Sequence, residues 1–124
     1  MPHILLVDDD DLFRKMLRLT LVKMGYTVTE ARNGKEALRA YEEEPADVVM
    51  TDLIMPEKEG LETIQALKKT QPTVRILAMS GAGRSSWPDF LRVAKMMGAD
   101  RILPKPFSND EMTTMLDDLL TERS

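Results

Sequence analysis

The chain has 124 residues, 43% of them hydrophobic, with 17 Lys and Arg against 21 Asp and Glu, a net charge of -4 and no cysteine. That length suits one hydrophobic core and predicts a single domain over 1–124; the acidic balance argues against direct nucleic-acid binding, and the lack of Cys excludes disulfides, Cys-based zinc sites and thiol nucleophiles. Apolar runs such as Ile4 to Val7 fall far short of the roughly 20 residues that cross a bilayer, and no signal peptide is visible, so a cytoplasmic protein away from membranes is expected.

Ile4 to Val7 reads as the first strand, followed by a helix from Leu12 to Met24 that Gly25 ends as a left-handed cap would. Tyr26 to Glu30 alternates like an edge strand. Asn33 can cap a second helix, with Glu36 three residues on, that runs through Leu38 and Tyr41 until Pro45 forbids continuation. Asp47 to Thr51 is the third strand, and a turn at Met55 to Gly60 leads to a helix with Leu61, Ile64 and Leu67 on one face. Pro72 closes that helix before the apolar fourth strand, Val74 to Met79. After Gly81, Ala82 and Gly83 a fourth helix is predicted near Trp87, because Phe90, Val93, Ala94 and Met97 follow i, i+3, i+4, i+7 spacing, and Gly98 stops it. A short strand, Arg101 to Leu103, precedes Pro104, Lys105 and Pro106. Ser108 and Glu111 then form a capping-box pattern for a fifth helix whose buried face is Met112, Met115, Leu116, Leu119 and Leu120. Aromatic residues are only 5% of the chain while Met numbers 10, so packing should rest on aliphatic and thioether side chains.

Five strands alternating with five helices predict a doubly wound α/β fold, a parallel five-stranded sheet covered on both faces. The first, third and fourth strands are continuously apolar and should be central, which favours the order 2-1-3-4-5. In such a sheet, ligands bind beyond the carboxyl ends of the strands. That one rim should hold Asp8 and Asp9 after the first strand, Asp52 after the third, Ser80 after the fourth and Lys105 after the fifth. Clustered carboxylates repel unless a cation joins them, and an all-oxygen set suits Mg²⁺. Carboxylates, a lysine and a hydroxyl around such an ion are equipped for phosphoryl transfer, in which a carboxylate can be the nucleophile.

ILLVDDDD, VVMTDLIMP, LAMSGAG and ILPKPF resemble, in order and over nearly the whole chain, the four blocks of bacterial response-regulator receiver domains, the CheY-like, flavodoxin-like superfamily of two-component systems. The resemblance implies that Asp52 accepts a phosphoryl group from a phosphohistidine on a sensor histidine kinase or histidine phosphotransfer protein. It implies further that Asp8, Asp9, Asp52 and the backbone carbonyl of Ile54 bind Mg²⁺ (or Mn²⁺). Asp9 would bind directly and Asp8 largely through water. Lys105 would neutralise the phosphoryl oxygens, and Ser80 would move to hydrogen-bond them, switching a face built from the fourth helix, the fifth strand and the fifth helix. That face would dock a separate output protein or a second copy of the chain. The Lys105–Pro106 bond is expected to be cis. The family implies no enzyme beyond promotion of its own phosphorylation and dephosphorylation, and the length implies a receiver with no effector domain attached.

The sequence departs from the pattern at three points. Ile102 stands where receivers commonly carry a Tyr or Phe rotor, so switching is expected to rely on backbone movement around Ser80 to Gly83 and the fourth helix. The 25 positions from Ser80 to Lys105 are a few more than usual, with the excess in GAGRSSWP, which reads either as a partner contact or as a surface insertion. Ile54 and Ala82, two positions beyond Asp52 and Ser80, offer no side chain to orient an attacking water, which predicts slow self-dephosphorylation.

Asp10 and Asp11 read as helix N-terminal acids, His3 as a residue at the far end of the strand, and Trp87 with Leu91 either as an extension of the partner face or as a cover for Phe90. An alternative is a haloacid-dehalogenase-like phosphohydrolase with Asp8 as nucleophile and Asp10 as acid, although Leu12 replaces the usual Thr or Val and no acidic pair follows Lys105. A phosphorylation-independent docking receiver is another. A flavodoxin-like flavin or nucleotide binder is disfavoured, because an aspartate run after the first strand repels phosphate.

Overall fold

The computed structural model describes residues 2–53, 59–80, 92 and 95–121, with residues 59–61 described in backbone only. The elements are β1 (His3–Val7), α1 (Asp11–Lys23), β2 (Thr27–Ala31), α2 (Gly34–Glu43), β3 (Val48–Asp52), α3 (Glu59–Thr70), β4 (Ile76–Ser80), β5 (Arg101–Pro104) and a C-terminal helix (Asn109–Thr121). All pairings are parallel, and the order is β2-β1-β3-β4-β5, as the distribution of apolar runs predicts. β3 and β4 are buried at every position.

Because strand side chains alternate in direction, each central strand feeds two cores. Leu5, Val7, Val49 and Ala78 join Ala37 of α2 and Ile64 and Leu67 of α3 on one face. Ile4, Leu6, Met50, Leu77 and Met79 join Leu17 and Leu21 of α1 and Met112, Leu116 and Leu119 of the C-terminal helix on the other. Met115 and Leu120 are only partly buried there. Met50, Met79 and Met112 do fill the core, but Met16 on α1, Met24 at its C-terminal cap and Met96 are exposed.

Strand boundaries shift where backbone groups are used locally. Tyr26 falls outside β2 because its N–H closes α1 on Leu21 O at 3.1 Å, after Gly25 takes φ 100. Val74 is buried but lies ahead of β4, its N–H turned back to Gln71 O at 3.0 Å. β3 starts at Val48 rather than Asp47, whose carboxylate accepts the His3 N–H at 2.7 Å. Pro104 ends the edge strand β5, and Lys105 N–H then bonds to Ser80 O at 2.8 Å.

The capping box of the C-terminal helix forms: Ser108 N–H donates to Glu111 Oε1 and Glu111 N–H to Ser108 Oγ, both at 3.0 Å. In α2 the pattern is displaced. Asn33 Oδ1 accepts from Glu36 N–H, but Glu36 reaches past it to the Arg32 N–H at 2.9 Å and to the Arg32 guanidinium. Arg32 thus competes for the carboxylate with a charge as well as an amide.

Arg92 and residues 95–97 are helical and Gly98 has φ 122, in keeping with the end of the predicted fourth helix. The expectations for Ile54, Met55, Leu61, Gly81 to Gly83, Trp87, Phe90, Leu91, Val93 and Ala94 lie outside the described residues or side chains. Among the described residues no helix is long and apolar enough to cross a membrane.

Candidate functional site

Parallel strands bring their carboxyl ends to one edge, and Asp8, Asp9, Asp52, Ser80 and Lys105 follow or end β1, β3, β4 and β5 there. Asp8, Asp9 and Asp52 each offer a carboxylate oxygen within 4.8 Å of the others. Asp8 and Asp52 are buried while Asp9 is exposed, so the cluster is reached from the side of Asp9. The Lys105 Nζ lies 3.1 Å from Asp8 Oδ2 and 3.6 Å from Asp52 Oδ2. Ser80 is fully buried, and its Oγ has no hydrogen-bond partner among the described residues. The cis Lys105–Pro106 bond is present as expected.

Two local devices fix the acidic loop. Asp8 N–H bonds to Ala31 O at 3.1 Å, and Asp8 Oδ1 accepts from Asp10 N–H at 2.9 Å. Arg14, buried on the inner face of α1, donates to the Asp8 backbone carbonyl, to Glu30 Oε1 and to Asp11 Oδ1, each at 2.8 Å. Burial works against its charge, but the bonds to Glu30 and Asp11 outweigh that cost and hold the guanidinium above its ordinary pKa. By choosing a carbonyl of Asp8, Arg14 anchors the loop without occupying the Asp8 carboxylate. Sequence reasoning overlooked Arg14. The available signal was a charged residue in the buried stripe it shares with Leu17 and Leu21, one helical turn from four aspartates.

Asp10 and Asp11 act as helix N-terminal acids: Asp10 Oδ1 caps Phe13 N–H at 3.1 Å, and Asp11 pairs with Arg14. His3 sits at the opposite end of β1, with Nε2 at 2.7 Å from Thr29 Oγ1. Ile102 is half-buried against the core cluster containing Ile76 and Ala78.

The site fits a hard divalent cation on its own chemistry. Three carboxylates gather within 4.8 Å of one another, with the Lys105 ammonium beside Asp8 and Asp52, and such an all-oxygen, acid-rich set suits an oxygen-seeking divalent cation. The orphaned Ser80 hydroxyl, buried at the same rim, is the kind of donor that an incoming oxyanion satisfies.

The model of the response regulator receiver domain family matches residues 4–117. The chain is 36% identical over 120 residues to the transcriptional regulatory protein GlrR of Escherichia coli, covering 97% of this chain but 26% of that protein, so it spans about a quarter of that relative's length. It is 32% identical to the chemotaxis protein CheY of Halobacterium salinarum, covering 96% of this chain and 97% of CheY. Among solved structures, the response regulator TrrA of Thermotoga maritima, in complex with Mg(2+)-BeF, superposes with a TM-score of 0.83 at 31% identity, covering 97% of this chain and all of TrrA. The four blocks quoted above, the strand order, the acidic cluster and this family match agree: the chain belongs to the response regulator receiver domains, the phosphoacceptor signalling modules of two-component systems.

Proposed function

We propose that Asp52 is the phosphoacceptor and that Asp8, Asp9 and Asp52 hold Mg²⁺, with Ile54 supplying its carbonyl. The observation that carries this reading is the gathering of three carboxylates within 4.8 Å of one another, two of them beside the Lys105 ammonium, at a rim that also holds a buried hydroxyl with no partner among the described residues. An Asp52 carboxylate oxygen attacks phosphorus of a phosphohistidine on a sensor kinase or histidine phosphotransfer protein. A P–O bond forms as the P–N bond breaks, and the histidine nitrogen leaves with the electron pair. Bound Mg²⁺ supplies charge neutralisation for the phosphoryl oxygens. Lys105 neutralises the same oxygens, and Ser80 Oγ–H, which has no acceptor among the described residues, gains one in them. Dephosphorylation is a separate step, in which water attacks phosphorus of the acyl phosphate, the bond from phosphorus to the Asp52 oxygen breaks, and the carboxylate and inorganic phosphate are released.

Asp10 speaks against the phosphohydrolase alternative, because the carboxylate that would be the acid caps Phe13 N–H instead. The donor's approach is favoured along α1, where Leu12, Met16 and Leu19 are 71%, 60% and 62% exposed at i, i+4, i+7 spacing beginning beside Asp9. Output would leave by the face of β5 and the C-terminal helix, where Arg101, Asp110, Thr114 and Asp118 line a shallow cleft, with a separate protein or a second copy docking there. The family span of 4–117 and the single sheet support reading 1–124 as one receiver unit.

The test is labelling by radioactive acetyl phosphate and by a phosphorylated histidine donor. Label should require Mg²⁺, vanish with chelator and be lost in Asp52→Asn. Equal labelling of Asp52→Asn would overturn the assignment.

A further inference from the structure

An ammonium has three N–H donors, and that of Lys105 has three electron-rich faces around it: Asp8 Oδ2 at 3.1 Å, Asp52 Oδ2 at 3.6 Å and the Phe13 ring, whose centroid is 4.1 Å away. The ring is itself fixed from two directions. Phe13 N–H is tied to the α1 cap, Asp10, at 3.1 Å. Its ring meets Phe107 at 6.2 Å with an interplanar angle of 85°, an edge-to-face pair. Phe107 lies two residues beyond Lys105, so the ring pair joins the first turn of α1 to the segment that carries the lysine.

We propose that Phe13 is a positioning residue for phosphoryl transfer, its ring face holding the Lys105 ammonium between Asp8 and Asp52. This rests on the assignment of Asp52 and Lys105 made above and extends it to a residue that never touches the phosphoryl group. A lysine has a flexible four-carbon stem and a strongly hydrated head, and the Lys105 side chain is 22% exposed, so water competes for it. The aromatic face offers attraction on the side where a carboxylate would add unwanted charge, and that attraction grows as the cation is desolvated. When phosphoryl oxygens arrive at Asp52, the ammonium then meets them without being drawn out of solvent. Leucine would fill much of the same space but present no negative ring face. Purely structural packing of Phe13 therefore predicts a different outcome from positioning.

The experiment compares Mg²⁺-dependent phosphorylation by acetyl phosphate in the wild type, Phe13→Leu, Phe13→Tyr, Lys105→Met and the Phe13→Leu/Lys105→Met pair, alongside the proton shifts of the Lys105 ε-methylene. Phe13→Leu should slow phosphorylation about fivefold to tenfold, within the range of a partly desolvated cation–π contact, and Phe13→Tyr should restore the rate. On the Lys105→Met background Phe13→Leu should add nothing, because its effect passes through the lysine. The ε-methylene protons should be shifted upfield by the ring in the wild type and in Phe13→Tyr, and return toward the free-lysine position in Phe13→Leu. Phe13→Met repeats the test if the leucine variant does not fold. A wild-type rate in Phe13→Leu, an equal slowing on the Lys105→Met background, or an unshifted ε-methylene in the wild type would overturn the proposal. A wild type that takes no label would strike the assignment of Asp52 instead, and the methylene shift would still decide where Phe13 holds the lysine.

Discussion

Ser80→Ala isolates the one buried hydroxyl at the rim that lacks a partner among the described residues. Leaving such a group unsatisfied costs about 1–3 kcal/mol, and Ser80 is fully buried, so water does not offset that cost. Alanine keeps the strand and removes the hydroxyl, while the small void left by one oxygen costs a few tenths of a kcal/mol, at about 24 cal/mol per Å³. The unphosphorylated protein should therefore gain about 1–2 kcal/mol, or about 4–8 °C in Tm for a domain of this size. In the phosphorylated state the sign reverses, since a hydrogen bond to a charged acceptor is worth about 1.5–3 kcal/mol and alanine forfeits it. Urea unfolding with and without Mg²⁺ and beryllofluoride measures both. Ser80→Ala should be more stable than the wild type alone and gain less from the phosphoryl mimic. A loss of 1 kcal/mol or more without the mimic would show that the hydroxyl is already well bonded, and would refute this account of its role.

Three further outcomes follow from other parts of the site. Arg14→Met removes a buried cation with three acceptors and takes the donor from the Asp8 carbonyl, while Glu30 keeps Arg18 at 3.4 Å, so stability in urea should fall by about 1–3 kcal/mol and Mg²⁺ affinity should fall with it; Arg14→Lys should recover only part, because one ammonium does not span the fork. Leu19→Asp on the exposed face of α1 should slow phosphorylation by the cognate histidine donor about tenfold, as expected for an apolar contact worth about 1.4 kcal/mol, while acetyl phosphate labelling stays at the wild-type rate; equal slowing with both donors would remove α1 as the donor's seat. Because Ile54 and Ala82 carry no polar side chain, the phosphoryl group on the purified protein should persist for minutes or longer, and Ile54→Glu or Ala82→Asn should shorten that life; a lifetime of seconds in the wild type would contradict the reading.

The sheet was legible because the apolar runs of β1, β3 and β4 mark strands buried on both faces, whereas the mixed Thr27–Ala31 and the short Arg101–Pro104 could only be edges. With that order, the parallel topology alone brings Asp8, Asp9, Asp52, Ser80 and Lys105 to one rim. Boundaries at Tyr26 and Val74 were not legible, since both are apolar enough for a strand and only their backbone bonds to Leu21 and Gln71 place them outside. Arg14 and Phe13 were missed for a related reason. Helical periodicity shows which face is buried but not that a buried arginine would select one carbonyl, or that a ring would lie over a lysine 92 positions away. Glu36 shows the same limit, its spacing from Asn33 matching a capping box while the neighbouring Arg32 captures its carboxylate. Ile102 lies half-buried against the core.

The most direct measurement is chemical mapping of the phosphorylated carboxylate. The protein is phosphorylated by acetyl phosphate in Mg²⁺, reduced with borohydride to convert the acyl phosphate to homoserine, and sequenced by mass spectrometry. Homoserine at position 52 and nowhere else is the expected result. Homoserine at position 8, with Asp52→Asn still labelled, would contradict the central claim and return the site to a hydrolase chemistry built on Asp8.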